Sequence, residues 1–281
     1  MQILKTINEV KILISQWKSA GLTIGLVPTM GYLHQGHKSL IERAVKENNR
    51  VIVSDFVNPI QFGPSEDLAT YPRDLAHDSK LCESAGASAI FNPEPSEMYP
   101  MGTPLTHVAV EEITSMLCGA KRPGHFQGVC TVVSKLFNIV QPDKAYFGEK
   151  DAQQLSVIRT MVKDLNFPIE IVGCPIVREK DGLAKSSRNT YLNIEERRAA
   201  LILSKSLKLA EKLIQDGEKS SDKIKEAILN SISTEKLAKT DYVEIVDFDT
   251  IKPTSEIKHN TLIAIAVYIG KTRLIDNIII K

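Results

Sequence analysis

Two histidines three residues apart, His34 and His37, close the stretch Val27-Pro28-Thr29-Met30-Gly31-Tyr32-Leu33-His34-Gln35-Gly36-His37. Residues 23–27 before it read as a buried strand. Residues 38–48 after it read as a helix with Leu40, Ile41, Ala44 and Val45 on one face. A strand, a glycine turn and a helix start together make an anion site, because unpaired backbone N–H groups and the helix dipole face the ligand. Histidines at i and i+3 share a helix face and add ring donors against phosphate charge. One histidine alone reads better as a cap or a packed ring, whereas a pair bracketing Gly36 at the end of a strand points to phosphate. Zinc is the weaker reading, since no cysteine is near and the closest acid, Glu42, lies five residues past His37. The chain has neither a P-loop nor a dinucleotide fingerprint to bind phosphate in its place.

Four further stretches carry chemistry-bearing residues. Phe56-Val57-Asn58-Pro59-Ile60-Gln61-Phe62 ends a second strand, and Gln61 offers both a donor and an acceptor there. Lys121-Arg122-Pro123-Gly124-His125 is a basic loop ahead of a helix, suited equally to an anion and to solvent. Phe147-Gly148-Glu149-Lys150-Asp151-Ala152-Gln153-Gln154 follows another strand; Gly148 permits close backbone approach, and Lys150 is a point charge suited to phosphate. Lys185-Ser186-Ser187-Arg188-Asn189 gathers two cations and two hydroxyls, as a surface turn or a phosphate clamp would. Asp55 inside the second strand is unusual. An isolated buried carboxylate is costly, so it is hydrogen-bonded, at a sheet edge, or tuning the site.

The elements that must position these residues follow from the patterning. Strands at 23–27, 50–57, 87–91, 144–147 and 169–172 alternate with helices at 38–48, 75–85, 129–140 and 152–165. Continuous apolar strands alternating with helices predict an α/β fold, a parallel sheet with helices on both faces. Ligands of such sheets bind beyond the carboxyl ends of the strands, so the loops after Val27, Val57 and Phe147 are the places to look. Of 15 glycines and 13 prolines, 13 and 12 precede residue 183, which separates a loop-rich part, 1–174, from a plainer α+β part, 175–281. In the second part Asn193 and Glu196 read as a capped start of a helix reaching Gln215. A second helix covers 223–232, and strands fall at 242–248, 262–269 and 272–280.

Composition bounds the function. The 281 residues carry 35 basic and 34 acidic side chains, net +1, which gives no electrostatic reason to expect nucleic acid or an anionic membrane as partner. No apolar run approaches the ~18–20 residues of a membrane helix, and no cleavable leader is seen, so a cytoplasmic globular protein is expected. Cys82, Cys118, Cys130 and Cys174 form no C-x-x-C pair and read as reduced, mostly buried thiols.

The histidine pair after a first strand, with a basic serine-containing loop far downstream, resembles the nucleotidylyltransferase superfamily that includes class I aminoacyl-tRNA synthetases. The whole set resembles the pantothenate synthetase (pantoate–β-alanine ligase) family. The matching stretches are residues 28–37, 56–62, 71–73, 122–128, 148–154, 186–189 and Arg273-Leu274-Ile275-Asp276-Asn277, which together span nearly the full chain. The resemblance implies a Rossmann-like first domain, a small second domain and a homodimer. It also implies an ATP-dependent ligase: pantoate attacks the α-phosphorus of ATP, giving pantoyl adenylate and pyrophosphate, and β-alanine then displaces AMP to give pantothenate. Mg²⁺ would accompany the triphosphate, with protein ligands unassigned.

Carried over residue by residue, the resemblance places ATP on Met30, Gly31, Tyr32, Leu33, His34, Gln35, Gly36 and His37. It adds Gly148, Glu149, Lys150, Asp151, the main chain of Val177, and the closing loop Lys185, Ser186, Ser187 and Arg188. Lys185 departs from the pattern, standing where the family carries an apolar residue. Gln61 and Gln154 match the glutamines that hold pantoate, Gln61 also falls at the β-alanine position, and Arg122 matches a further basic residue of the site. His34, His37, Lys150 and Arg188 are the expected catalytic groups, with His37 donating either a hydrogen bond or a proton. Adenylation needs in-line geometry and charge neutralisation at phosphorus, which this set supplies. An adenylyl transferase acting on another small acid or a phosphorylated acceptor is the alternative. A phosphorylated acceptor would want cations where two neutral amides sit. A non-catalytic nucleotide-binding module leaves cations in three loops unexplained.

Overall fold

The computed structural model describes residues 1–64 and 66–281, in two units. The first is Met1–Glu149 with Val157–Pro175, and the second is Lys150–Ser156 with Ile176–Lys281. The seven residues that begin with Lys150 thus cluster with the second unit, although they precede the composition shift.

In the first unit the chain runs β1 (Gln2–Leu4), α1 (Ile7–Ser19), β2 (Ile24–Thr29), α2 (Gln35–Glu47), β3 (Arg50–Asp55), α3 (Leu75–Ser84) and β4 (Ala89–Phe91). There follow α4 (Pro95–Met98), α5 (Leu117–Lys121), α6 (His125–Val140), β5 (Lys144–Gly148), α7 (Ala152–Asp164) and β6 (Glu170–Cys174). The strands form one parallel sheet in the order β1-β4-β3-β2-β5-β6. From β2 the chain steps through β3 to β4 in one direction, and from β5 to β6 in the other. Right-handed crossovers therefore set α2 and α3 on one face and α7 on the opposite face. The reversal lies between β2 and β5, the point of an open α/β sheet where ligands bind.

Ile24, Leu26 and Val27 of β2 and Val51, Ile52 and Val53 of β3 are fully buried, as strands covered on both faces require. Leu40, Ile41 and Ala44 of α2 join Cys82 of α3 in the core over one face. On α6, residues from His125 to Val140 are buried along most of its length, and the helix packs on β2 and α1.

The second unit carries α8 (Ile194–Ala199), α9 (Leu201–Gln215), α10 (Ser221–Ser233) and the antiparallel strands β7 (Ala238–Asp247), β8 (Thr261–Ile269) and β9 (Thr272–Ile279), in the order β7-β8-β9. Leu203 and Leu207 of α9 and Ile224, Ile228 and Ile232 of α10 cover the sheet through Ile263, Ile265 and Val267. The Asn193–Glu196 capping box is present, but the helix expected to run from it breaks at Ala200.

Elsewhere the expected elements differ mainly at their ends. The helix after the histidines starts at Gln35 and α6 at His125, both earlier than expected, because Gln35, Gly36 and His37 in one and His125, Gln127 and Gly128 in the other interrupt the apolar period in the first turn. The N-terminal β1 and α1 were not expected. Their signal is the box made by Thr6 and Glu9, whose side chains cap one another's N–H groups.

Candidate active site

In the first unit, β2 delivers Met30 and Gly31 to the carboxyl edge of the sheet. Gly31 has φ +78°, and a Cβ there would run into Asp55 Oδ1; only glycine fits. Tyr32 follows, also with positive φ (49°). Asp78 of α3, fully buried, accepts the N–H groups of Tyr32 and Leu33, each at 2.7 Å, and contacts His77 Nδ1 at 3.0 Å. These two amides are therefore committed to a carboxylate.

The two histidines cap the helix they begin. His34 is the N-cap of α2, and its Nδ1 accepts the Gly36 N–H at 3.1 Å. His37 Nδ1 accepts the His34 N–H at 3.2 Å, and the rings stack with centroids 4.1 Å apart. Capping, one of the two readings of the sequence, occupies Nδ1 of each ring. With both Nδ1 atoms accepting, each neutral ring carries its proton on Nε2. The first-turn amides of this helix start are thus largely spent on capping by the two rings.

Gln61 ends a single-turn 3-10 helix, Pro59–Gln61, and is buried. Its Oε1 accepts from Asn58 Nδ2 (3.0 Å) and its Nε2 meets Met30 Sδ at 3.0 Å. Asn58 is fixed in turn by the Tyr99 hydroxyl (2.7 Å) and the Gly128 carbonyl (3.2 Å). Gly128 must be glycine, since a Cβ there would lie 2.5–2.8 Å from backbone atoms of Ile60 and Gln61.

Arg122 serves the same loop. Its guanidinium binds Glu66 through Nε–Oε1 (2.6 Å) and Nη2–Oε2 (2.7 Å), and Nη1 donates to His125 Nε2 at 2.9 Å. His125 therefore keeps its proton on Nδ1 and donates it to the Gln61 carbonyl at 2.9 Å. Burial pushes the Glu66 carboxyl up, but the Arg122 hydrogen bonds and charge hold it below the usual range. Arg122 in this structure buttresses Gln61.

Asp55 ends β3, an interior strand, which removes the sheet-edge reading. Burial first, and Asp78 second, push its pKa up to about 6, with Lys5 opposing. The cysteines are free thiols. Burial pushes Cys82 and Cys130 up to about 12, so neither is a nucleophile near neutral pH.

Residues Glu149–Asp151 form a 3-10 turn, and in the second unit the Lys150 carbonyl accepts from Asn277 Nδ2 of β9 at 2.9 Å. Gln154 sits half-buried in the first turn of α7. Val177 opens a hairpin: its carbonyl accepts the Lys185 N–H (2.9 Å), and Arg178 bridges Ala184. The 3-10 turn Ser187–Tyr191 follows, with Ser186 Oγ accepting the Arg188 N–H at 3.3 Å. Glu179 ties this hairpin together, meeting Asn189 Nδ2 (3.1 Å), Arg197 Nη2 (2.9 Å) and Lys185 Nζ (3.7 Å). The Lys185 side chain, off-pattern in sequence, therefore holds the loop.

Asp78, Asn58, Tyr99, Glu66 and Glu179 went unassigned in the sequence because nothing in their own helix or loop pattern marks a partner many residues away. Among the described residues, no group of three His, Cys, Asp or Glu could hold a metal ion, and no helix is long and apolar enough to cross a membrane.

The family model described as pantoate-beta-alanine ligase matches residues 2–279. A pantothenate synthetase of Clostridium acetobutylicum is 67% identical over 99% of this chain and 98% of its own length. The crystal structure of pantothenate synthetase from Thermus thermophilus superposes with a TM-score of 0.92 at 45% identity, covering 99% of each chain. That of a Francisella tularensis pantoate-beta-alanine ligase complexed with beta-gamma ATP and beta-alanine has a TM-score of 0.80 at 36% identity, covering 99% of this chain and 97% of that one.

Proposed function

The chain belongs to the pantoate-beta-alanine ligase family, and on that premise we propose how its residues share the work. It takes MgATP, (R)-pantoate and β-alanine, forms pantoyl adenylate with release of pyrophosphate, and then releases AMP and pantothenate. The observation that carries this reading is the histidine pair: both Nδ1 atoms accept backbone N–H groups, which puts the proton of each neutral ring on Nε2, the donor we assign to the triphosphate. Mg²⁺ is taken to accompany the triphosphate as part of the substrate, as it does where a divalent ion is held mainly by phosphates and water.

Gln61 presents a neutral amide to pantoate and β-alanine, and Gln154 a second one to pantoate. Neutral amides suit a hydroxy acid and disfavour a phosphorylated acceptor. Met30 to His37, Gly148 to Asp151 and the Val177 main chain hold ATP. Lys150 and Arg188 neutralise charge that develops on the phosphates as the carboxylate attacks, and His37 donates a hydrogen bond there. Ser186 and Ser187 order the turn that brings Arg188 to bear. Catalysis is then positioning and electrostatics, with no covalent enzyme intermediate. We assign ATP and pantoate binding to residues 1–174, the closing loop to 175–281, and a homodimer working in the cytoplasm as the setting.

The deciding experiment is exchange of labelled pyrophosphate into ATP. Exchange should require pantoate and proceed without β-alanine. Exchange that demands β-alanine would overturn the two-step reading, and exchange without pantoate would overturn the substrate assignment.

A further inference from the structure

Two neighbouring residues of β9 hold both of the second unit's phosphate-directed segments, and neither is itself directed at phosphate. Asp276 and Asn277 are 2% and 3% exposed, on a strand whose surrounding residues include Leu274, Ile275, Ile278 and Ile279. Apolar side chains would fill such positions without the cost of burying a carboxylate and an amide. Each has a specific partner. Asp276 takes Arg178 in a two-point pair, Oδ2–Nη1 at 2.6 Å and Oδ1–Nη2 at 3.0 Å, and also accepts the Asn277 N–H at 2.8 Å. Asn277 Nδ2 donates to the Lys150 carbonyl at 2.9 Å. Arg178 Nη1 further donates to the Gly182 carbonyl at 3.2 Å, inside the hairpin that leads to Ser186, Ser187 and Arg188.

Side chains of adjacent strand residues leave opposite faces of a sheet, one rise of about 3.3 Å apart. One step along β9 therefore fixes the Lys150 main chain on one side and the hairpin base on the other. A lysine ammonium reaches only as far as its four-carbon stem, so the region it can occupy is bounded by where its backbone is held. We propose that Asp276 and Asn277 are a positioning pair for adenylation, which sets the spacing between Lys150 and the Arg188 loop. The inference rests on the reading that Lys150 acts on ATP.

A double-mutant cycle in the full-length protein tests it, with pantoate-dependent pyrophosphate exchange, single-turnover adenylate formation and thermal melting as readouts. Asn277→Ala should lower the adenylation rate about 10- to 100-fold, the scale of a small misplacement of a catalytic group, with KM for pantoate unchanged. Asn277→Asp, of the same shape but with an acceptor facing the Lys150 carbonyl, should do the same with little change in melting temperature. In a Lys150→Ala background, Asn277→Ala should change the rate by no more than about twofold, because the group it positions is gone. Equal losses in both backgrounds, tracking melting temperature, would show a merely structural role and overturn the proposal, as would an Asn277→Asp variant with the native rate. If Lys150→Ala itself adenylates normally, the assignment of Lys150 fails. If that variant is crippled while the Asn277 variants are not, the positioning pair alone fails.

Discussion

At the scale of single residues, the site is built from groups whose roles depend on what occupies their other atoms. Gln61 is legible in sequence as an amide after a strand, but its orientation follows from Asn58, three residues before it, which is itself held by Tyr99 and Gly128 from elsewhere in the chain. Gln61→Ala should raise the dissociation constant of pantoate while leaving that of ATP nearly unchanged. Asn58→Ala should follow the same pattern more weakly, because Gln61 Oε1 then loses its donor. Calorimetric titration with each substrate checks both; a selective loss of ATP binding would mean the pockets are reversed. Asp55 supplies a pH test. Its pKa rises from 3.8 unfolded to about 6 folded, so between those values the native state holds a proton that the unfolded chain has released. Stability therefore falls as pH rises through that window, by roughly 3 kcal/mol for a shift of about two units, and levels off above pH 6. Asp55→Asn should remove that decline and be the more stable form at pH 7.5. Urea unfolding of both proteins at pH 4.5 and 7.5 decides it, and parallel pH dependences would exclude Asp55 as the source.

At the scale of elements, the positions of strands and helices are largely readable because burial on both faces leaves continuous apolar runs and amphipathic helices keep their period. The ends were less readable, and they are where the chemistry sits. Helix α2 begins at Gln35, three residues before its apolar pattern, since two histidines do the capping that Ser, Thr or Asp would ordinarily signal. Helix α6 begins at His125 because His125 binds the Gln61 carbonyl. Its Gly128 touches the backbone of the 3-10 turn, so Gly128→Ala must displace Pro59–Gln61 or the helix. Overpacking of this kind should cost about 1–3 kcal/mol and weaken pantoate binding. Denaturant midpoints together with pantoate titration measure both effects. Native values for both would show that the contact yields without consequence.

At the scale of the whole molecule, two units with separate cores each carry candidate site residues. Gln61 belongs to the first unit and Arg188 to the second. Substitution of Gln61 should act mainly on KM for pantoate, while Arg188→Ala should slow pyrophosphate release far more than it weakens pantoate binding. By analogy with the loss of one transition-state donor, the rate should fall about 10²–10³-fold. Steady-state and single-turnover kinetics separate the two effects, and an Arg188 variant that changes only pantoate affinity would overturn the role proposed for Arg188. The sequence by itself determined the parallel α/β sheet, the α+β character of the second part and the family, because periodicity and short motifs are local properties of the chain. It also marked the histidine pair, Gln61, Lys150 and the Ser-Ser-Arg loop as the residues of interest. Only the tertiary structure decided which partners the residues in and around these stretches take within the chain. It put the Tyr32 and Leu33 amides on Asp78, turned Arg122 toward Glu66 and His125, set Lys185 against Glu179, and hung the Lys150 main chain on Asn277. A side chain's chemistry is free for substrate only after its buried neighbours have been satisfied. Apart from the His125 and Lys185 pairs, those neighbours lie 45 to 127 positions away, beyond the reach of any local pattern.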